Sequence, residues 1–198
     1  MQWLRRFLPP DVLRGVQTLC HHPALEPYGS CRLCTVEVEK NGRKRFVTAC
    51  NYPLEEGIVV ETGSEGVLAI RRMILELLAA RCPGERRIQD LALKYGVTGP
   101  RFLLEDESCI LCGLCHRVCS ELVGVSAINA QNRGVLRDVD TPYGQLSEEC
   151  IACGACEFVC PTGAIKVRDV TDKEPRPLLL DFDMGLRGRG NVFIPFPQ

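Results

Sequence analysis

Residues 109–119 read CILCGLCHRVC, and residues 150–160 repeat the pattern as CIACGACEFVC, with Pro161 following. Each run has the spacing Cys-x2-Cys-x2-Cys-x3-Cys, which is typical of paired [4Fe–4S] clusters. In such pairs, three cysteines of one run hold one cluster and the fourth cysteine ligates the cluster of the other run. The doubled spacing therefore predicts two cubane clusters and two runs that fold against each other.

The spacing assigns a set of ligands to each predicted cubane. The first set is Cys109, Cys112, Cys115 and Cys160, and the second set is Cys119, Cys150, Cys153 and Cys156. Structural zinc is the alternative, because Cys-x2-Cys pairs also bind zinc. Two packed runs of four cysteines, with a proline after the second, favour a bacterial two-cluster ferredoxin domain over zinc.

A further group of cysteines lies upstream, at Cys20, Cys31, Cys34 and Cys50. Four thiolates at these intervals suit a [2Fe–2S] cluster, although the first gap is wider than in plant-type ferredoxins. On spacing alone, a zinc ribbon is the competing interpretation. Between Cys34 and Cys50 the sequence alternates, turns at Asn41-Gly42 and returns, which predicts a β-hairpin. With a further strand at 57–61, this region is interpreted as part of a β-grasp ferredoxin fold.

Two helices are predicted next, the first beginning at Ser64 and ending at Pro83-Gly84. The apolar face of the first helix is expected to contain Ile70, Met73, Ile74, Leu77 and Leu78. Its charged residues Arg71, Arg72 and Glu76 are expected to point away from that face. The second helix is predicted at about residues 85–95, and the pair is interpreted as a connector between cluster-binding domains.

The predicted fold class is α+β. Between the two cysteine runs, the stretches 127–129 and 135–137 are expected to form a hairpin, and residues 163–167 a short strand. From about Lys173 the chain mixes prolines, glycines and apolar residues without a clear period, which indicates an extended tail that docks on a partner. The predicted domains are a partial [2Fe–2S] ferredoxin-like domain at 1–63, a helical connector at 64–100, a two-[4Fe–4S] ferredoxin-like domain at 101–170 and the tail at 171–198.

Composition narrows the class of protein. The 24 Lys and Arg residues nearly balance the 25 Asp and Glu residues, which argues against a nucleic-acid binder that relies on a strongly basic surface. The 13 cysteines are an odd number in cluster-like spacing, so a reducing, cytoplasmic compartment is expected rather than a disulfide framework. Arg5-Arg6 resembles a twin-arginine signal, but Pro9-Pro10 follows where a long apolar stretch is needed, so no export signal is predicted.

The sequence offers no residues for substrate chemistry. It contains no Gly-rich dinucleotide fingerprint, no flavin signature and no cysteine set typical of a nickel–iron or diiron hydrogen site. No catalytic residue is therefore assigned, and the chain is expected to carry electrons for catalytic partners. Cys82 is interpreted as a buried structural thiol, and His21, His22 and His116 as hydrogen-bonding residues rather than iron ligands.

Five stretches resemble the diaphorase small subunit of NAD-reducing hydrogenases, which is homologous to the N-terminal part of the complex I large iron–sulfur subunit. They lie within about residues 17–167 and comprise LCHHPAL at 19–25, CRLC at 31–34, QDLALKYGV at 89–97, CILC at 109–112 and CIACGAC at 150–156. The resemblance implies that the first four cysteines hold a [2Fe–2S] cluster. It also implies a flavin-containing NAD(P)H dehydrogenase subunit and the small and large hydrogenase subunits as partners. The charge balance predicts no nucleic-acid partner, and the apolar segments, which charges interrupt well short of a membrane span, predict no direct membrane insertion.

Two departures from that family carry further predictions. Family members usually place a His and three Cys between the long helix and the Gln-Asp-Leu motif, where they hold an extra [4Fe–4S] cluster. Here residues 79–88 contain only Cys82, so that cluster is predicted to be lost and the chain to carry three clusters: one [2Fe–2S] and two [4Fe–4S]. Only nineteen residues precede Cys20, so the first domain is expected to be trimmed, or completed by a neighbouring chain.

The resemblance therefore implies an electron-transfer subunit between a flavin-bearing, NAD(P)H-oxidising subunit and a hydrogenase module. Electron bifurcation in such a complex is a further hypothesis that the predicted loss of the extra cluster also fits. Related subunits serve NAD-dependent formate dehydrogenases, which are the nearest alternative. A free-standing ferredoxin-like carrier or redox-sensing binding module is the alternative from another class.

Overall fold

The computed structural model describes residues 16–53, 55–145, 147–168, 178–181 and 191–194. The chain divides into two compact units, Met1–Glu105 and Asp106–Gln198. The first unit contains the upstream cysteine group together with both helices of the predicted connector. The second unit contains the two cysteine runs. In the described part of the chain, no helix is long and apolar enough to cross a membrane.

A three-stranded antiparallel sheet forms the first half of the first unit. Its strands are β1 (Thr35–Lys40), β2 (Arg43–Thr48) and β3 (Val59–Glu61), in the order β2-β1-β3. Asn41 and Gly42 join β1 to β2 with φ values of 53° and 71°, as a two-residue hairpin turn of the predicted kind requires. The predicted hairpin is therefore present in the structure.

Two helices complete the first unit: α1 (Glu65–Arg81) and α2 (Arg86–Lys94). The Ser64 side chain caps α1 by accepting a hydrogen bond from the N–H of Val67 at 3.4 Å. The same hydroxyl donates to a Glu37 carboxylate oxygen at 2.6 Å, which ties the start of α1 to β1. On the other face of the sheet, Val36 and Val38 pack with Val16, Ala49, Cys34 and Cys50 in one apolar cluster.

The apolar face predicted for α1 is wrong in part: Ile70, Ile74 and Leu78 are half-buried and Arg72 is exposed, but the other predicted positions differ. Met73 and Leu77 are 42% and 48% exposed, whereas Arg71 is only 2% exposed and Glu76 is also buried. The buried stripe contains Val67, Arg71, Leu75, Glu76 and Ala80. Arg71 and Glu76 are buried because each binds a partner within the unit: Arg71 donates to the Thr35 carbonyl oxygen and Glu76 accepts from Arg101. The spacing of apolar residues in the sequence does not reveal these partners.

Short elements form the second unit. Its helices are α3 (Leu114–Val118) and α4 (Ala155–Val159), a π-helical turn at Cys119–Val123, and 3-10 turns at Gly134–Leu136 and Pro142–Gly144. Its strands are β4 (Asn129–Gln131), β5 (Asp138–Asp140), β6 (Lys166–Arg168), β7 (Leu178–Asp181) and β8 (Asn191–Ile194). β4 pairs with β5, β6–β8 form a second antiparallel sheet in sequence order, and α3 packs against α4.

The second unit differs from the sequence predictions in three places. The hairpin between the cysteine runs pairs 129–131 with 138–140 instead of 127–129 with 135–137, because Gly134–Leu136 forms a 3-10 turn at its tip. The strand expected at 163–167 begins only at Lys166. Within the predicted tail, β7 and β8 pair with β6, whereas the rest of 171–198 lies outside the described residues, as do residues 1–15 at the predicted trimmed start.

Candidate metal centres

The β1–β2 hairpin brings together the ends of the upstream cysteine group. Cys34 immediately precedes β1 and Cys50 follows β2, and the N–H of Ala49 donates to the Cys34 carbonyl oxygen at 3.1 Å. Cys20 and Cys31 lie on the loop before the hairpin, where the N–H of Cys31 donates to the Cys20 sulfur at 3.4 Å. Cys20, Cys34 and Cys50 are buried and Cys31 is half-buried.

The four upstream thiols form two close pairs. The Cys31 thiol hydrogen-bonds to Cys20, which lowers the pKa of Cys20 to about 5. That contact, followed by burial, raises the pKa of Cys31. The side chains of Cys34 and Cys50 form the second pair, which raises the pKa of Cys34 and lowers that of Cys50. The two thiols of each pair therefore lie close enough to hydrogen-bond to each other.

Four cysteines of the second unit line one recess: Cys109, Cys112, Cys115 and Cys160. Apolar side chains of Ile110, Val139 and Ile165 form part of its wall. Burial raises the pKa of Cys115, and the negative charges of Cys112, Cys109 and Cys160 raise it further. The structure thus brings together the four cysteines of the first predicted set, including the one contributed by the other run.

The cysteines of the second predicted set influence one another electrostatically. Burial raises the pKa of Cys150, and the charges of Cys119 and Cys153 add to the effect. Burial raises the pKa of Cys156 to about 12, and the charges of Cys150 and Cys153 contribute to this shift. The negatively charged sulfurs of neighbouring cysteines repel one another. Cationic iron relieves this repulsion when the cysteines bind it as thiolates.

The backbone around the sulfurs has the same unusual conformation in both runs. Leu111 and Gly113 have φ values of 53° and 77°, and Ala152 and Gly154 have φ values of 55° and 71°. Left-handed residues of this kind turn successive N–H groups toward one point, where they stabilise anions. The N–H of Leu111 accordingly donates to the Cys109 sulfur at 3.4 Å.

Two contacts to sulfur are not indicated by the cysteine spacing. The N–H of Ala127 donates to the Cys119 sulfur at 3.3 Å, and the Thr162 hydroxyl lies 3.7 Å from the Cys160 sulfur. Ala127 has no sequence signal because the donor is a backbone group. Thr162 could have been found from its place two residues after a cysteine, where a hydroxyl can reach back to the sulfur.

Cys82 and two of the histidines have identifiable local surroundings. Cys82 is fully buried at the C-terminus of α1, where its N–H donates to the Leu78 carbonyl oxygen at 2.8 Å. His22 accepts a hydrogen bond from the N–H of Ala24 at 3.3 Å, and burial lowers the pKa of His116. Among the described residues, no group of three or more His, Cys, Asp or Glu is arranged to hold a single metal ion.

The donor chemistry fits iron–sulfur clusters. Each predicted set would supply four soft thiolate donors, and a backbone N–H contacts a sulfur in each of the three sets. Such donors offset the negative charge that a cluster brings into a buried site. The cysteine groups therefore have the composition and surroundings that one [2Fe–2S] and two [4Fe–4S] clusters require.

Comparison with known proteins agrees with this chemistry. Residues 13–65 match the family described as 2Fe-2S iron-sulfur cluster binding domain, and residues 108–164 match the family described as 4Fe-4S dicluster domain. The chain carries both of these iron–sulfur domains. Each match covers one of the two regions that contain the cysteine groups.

Curated relatives align with most of this chain. The NADPH-Fe(3+) oxidoreductase subunit alpha of Geobacter sulfurreducens is 35% identical over 176 residues, which are 76% of this chain and 20% of that protein. An NADH-quinone oxidoreductase subunit of Mycobacterium tuberculosis is 32% identical over 183 residues, which are 77% of this chain and 22% of that protein. The iron–sulfur chain is homologous to part of these subunits and spans about a fifth of their length.

A solved structure shares the fold. A chain in the crystal structure of NAD+-reducing [NiFe]-hydrogenase in the H2-reduced state is 31% identical to the iron–sulfur chain, with a TM-score of 0.54. The alignment covers 66% of the present chain and 65% of the hydrogenase chain. The resemblance to hydrogenase subunits found in the sequence is thus supported by both sequence identity and structure.

Proposed function

We propose that this chain is a non-catalytic electron-relay subunit with three iron–sulfur clusters. The proposed ligands are Cys20, Cys31, Cys34 and Cys50 for [2Fe–2S], Cys109, Cys112, Cys115 and Cys160 for the first [4Fe–4S], and Cys119, Cys150, Cys153 and Cys156 for the second. The observation that carries the proposal is the convergence of these cysteines into three groups of four. When bound, each cluster supplies one-electron redox chemistry.

The protein residues around each group set the conditions for that chemistry. Ile110, Val139 and Ile165 line the first cubane site and exclude water, which disfavours the more negative, reduced state. The N–H of Leu111 and the left-handed turn at Gly113 place backbone dipoles near the sulfurs and act in the opposite direction. The balance between burial and N–H donation fixes the potential at which the site accepts an electron.

The proposed partners follow from the relatives. Their names share a nicotinamide nucleotide: an NADPH-Fe(3+) oxidoreductase, an NADH-quinone oxidoreductase and an NAD+-reducing hydrogenase. We therefore place the chain between a flavin-containing subunit that oxidises NAD(P)H and a hydrogenase module. The hydrogenase structure supports a hydrogenase module because its aligned chain matches this one in both sequence and fold, and an NAD-dependent formate dehydrogenase stays the alternative.

Metal analysis of the anaerobically purified full chain tests the cluster assignment. One [2Fe–2S] and two [4Fe–4S] clusters require roughly ten irons and an equal number of sulfides per chain. Electron paramagnetic resonance of the reduced protein should resolve one binuclear and two interacting cubane signals. Stoichiometric zinc, or roughly six irons, would contradict the proposal.

Purification of the chain from its native source tests the partner assignment. Co-purification with a flavoprotein and a nickel protein supports the relay between NAD(P)H and hydrogen. Co-purification with a molybdenum or tungsten protein instead of a nickel protein would indicate that the chain belongs to a formate dehydrogenase complex. Recovery as a lone, fully loaded monomer would instead establish a free-standing carrier.

A further inference from the structure

The two cysteine runs have the same spacing but different exposure. Ile110, between the first two cysteines of the first run, is 8% exposed, whereas its counterpart Ile151 is 60% exposed. The next cysteine is buried in the first run, as Cys112, and exposed in the second, as Cys153. The two runs therefore do not present their clusters to solvent equally.

The helices that follow show the same asymmetry. Arg117 in α3 is 6% exposed, while Phe158, at the equivalent position of α4, is 84% exposed. Arg117 is held in place by Glu121, whose carboxylate oxygen lies 2.9 Å from its Nε. A large aromatic side chain that is exposed beside a cluster ligand contributes apolar contact area when another surface covers it.

The sequence that contains this exposed site is acidic. Between residues 138 and 165 the sequence contains no Lys or Arg, but it contains Asp138, Asp140, Glu148, Glu149 and Glu157. The last three of these are exposed and flank the ligands of the second cubane. Since the whole chain has a net charge of only −1, this local excess is not a property of its overall composition.

We propose that the second-cluster face, made of Ile151, Cys153 and Phe158 with the rim of Glu148, Glu149 and Glu157, docks a redox protein. The partner's surface that binds to this face has an apolar centre and a positively charged rim. The inference rests on the proposed relay function and names the chemistry of one partner. Because Cys153 is both an exposed residue and a proposed cluster ligand, docking here brings the partner's cofactor close to the cubane.

Charge decides between the possible occupants of this face. A second copy of the chain would bring the same acidic rim into contact with itself, and an anionic membrane surface would also be repelled. A protein with Lys or Arg around an apolar patch is attracted by the rim and excludes water from Phe158 on contact. This charge complementarity affects the rate of association more than the final affinity, and dissolved salt weakens the attraction between the two surfaces.

The test uses the full chain with its clusters loaded and reduced, and follows oxidation by stopped flow. The probe is cytochrome c, a small cationic haem protein, and a neutral quinone serves as an oxidant without charge. The variant Glu148→Gln/Glu149→Gln/Glu157→Gln removes the rim, and Phe158→Ser removes the apolar centre. The matched controls are Glu56→Gln/Glu65→Gln/Asp90→Asn, at three exposed acidic sites of the first unit, and Leu93→Ser, at a residue that is 64% exposed.

The rim variant should lower the bimolecular rate with cytochrome c at least about fivefold at low salt and flatten its salt dependence. Phe158→Ser should lower the rate without changing the salt dependence. Both controls, and the quinone rate of every variant, should match the unmodified chain. The proposal would be overturned if the control triple variant lost as much of the cytochrome c rate as the rim variant, or if the rim variant kept the original rate. A dimer of the unmodified chain that Phe158→Ser abolishes would also overturn it, because the face would then bind a second copy. Failure of the relay function is distinguishable, because a free-standing carrier would still show these rate differences with cytochrome c but would be recovered from its native source without a flavoprotein partner.

Discussion

The guanidinium Nη2 of Arg71 lies 2.9 Å from the carbonyl oxygen of Thr35, across 36 residues of sequence. Thr35 directly follows Cys34, a member of the upstream cysteine group. The Arg71 Nη1 also lies 3.3 Å from the Tyr95 hydroxyl, just beyond α2. One buried arginine thus connects both helices of the first unit to the start of the strand that positions a proposed cluster ligand.

Replacing Arg71 by Met should loosen that connection. The change keeps an apolar stem of similar length but leaves the Thr35 carbonyl without its charged donor, which costs about 2 kcal/mol. Amide hydrogen exchange in β1 should then accelerate roughly thirtyfold. Arg86→Met is the control, since that side chain is 93% exposed, and should leave β1 exchange unchanged. Equal protection of β1 in Arg71→Met and the unmodified chain would show that the arginine is dispensable.

The pair Glu76–Arg101 should make the first unit sensitive to acid. Arg101 donates from Nε and Nη2 to Glu76 at 2.6 and 2.8 Å, and its backbone N–H adds a bond of 2.8 Å. The Arg101 side chain first, and then this N–H, lowers the pKa of Glu76 below its ordinary value. A carboxyl group with a lowered folded-state pKa stabilises the fold above the unfolded pKa of about 4.3 and loses that contribution as pH falls through its folded value.

Glu76→Gln should therefore lower the thermal midpoint at pH 7, and its deficit relative to the unmodified chain should shrink as pH falls below about 4. Thermal unfolding followed by circular dichroism at both pH values measures the difference. Glu56→Gln, at an exposed loop position, supplies the control and should show no pH-dependent deficit. A deficit that is constant with pH would assign the effect to packing rather than charge.

The sequence predicted local features better than long-range ones. The turn at Asn41-Gly42 and the cysteine spacing are encoded in adjacent residues, so the hairpin and the expected proximity of the cysteines were accessible from sequence. The buried face of α1 was not, because it depends on the distant oxygen that Arg71 binds. The unequal exposure of Ile110 and Ile151 was equally hidden, since both residues lie in nearly identical motifs and differ only in what covers them.

Ala152 should tolerate glycine but not a β-branched residue. Its φ of 55° lies in the left-handed region, which glycine enters freely and valine enters at a cost of about 1–3 kcal/mol. Ala152→Val is therefore expected to reduce loading of the second cubane, while Ala152→Gly retains full iron content. Ile151→Val, at the preceding exposed residue, is the control. Full iron content in Ala152→Val would show that the turn does not limit assembly.

Cys82→Ala should leave the iron content unchanged. Cys82 is fully buried at the end of α1, and it is the one cysteine left at the position where related subunits are expected to hold an extra cluster. One thiolate cannot hold a cubane, so its loss should cost only a small amount of packing. Iron analysis of the purified variant checks this. Loss of roughly four irons per chain would mean that a cluster does occupy this region.

Exchanging the last cysteine of each run for serine should damage the cluster of the opposite run. Cys160 lines the recess with Cys109, Cys112 and Cys115, and the charge of Cys119 acts on Cys150. Cys160→Ser is therefore expected to alter the signal of the more buried first cubane, and Cys119→Ser that of the more exposed second cubane. Electron paramagnetic resonance of the two reduced variants distinguishes the signals, because only the second cubane should respond to Ile151→Lys, a change at its exposed neighbour. If each serine instead affected the cluster of its own run, the two runs would bind their clusters independently and the crossed ligand sets would be wrong.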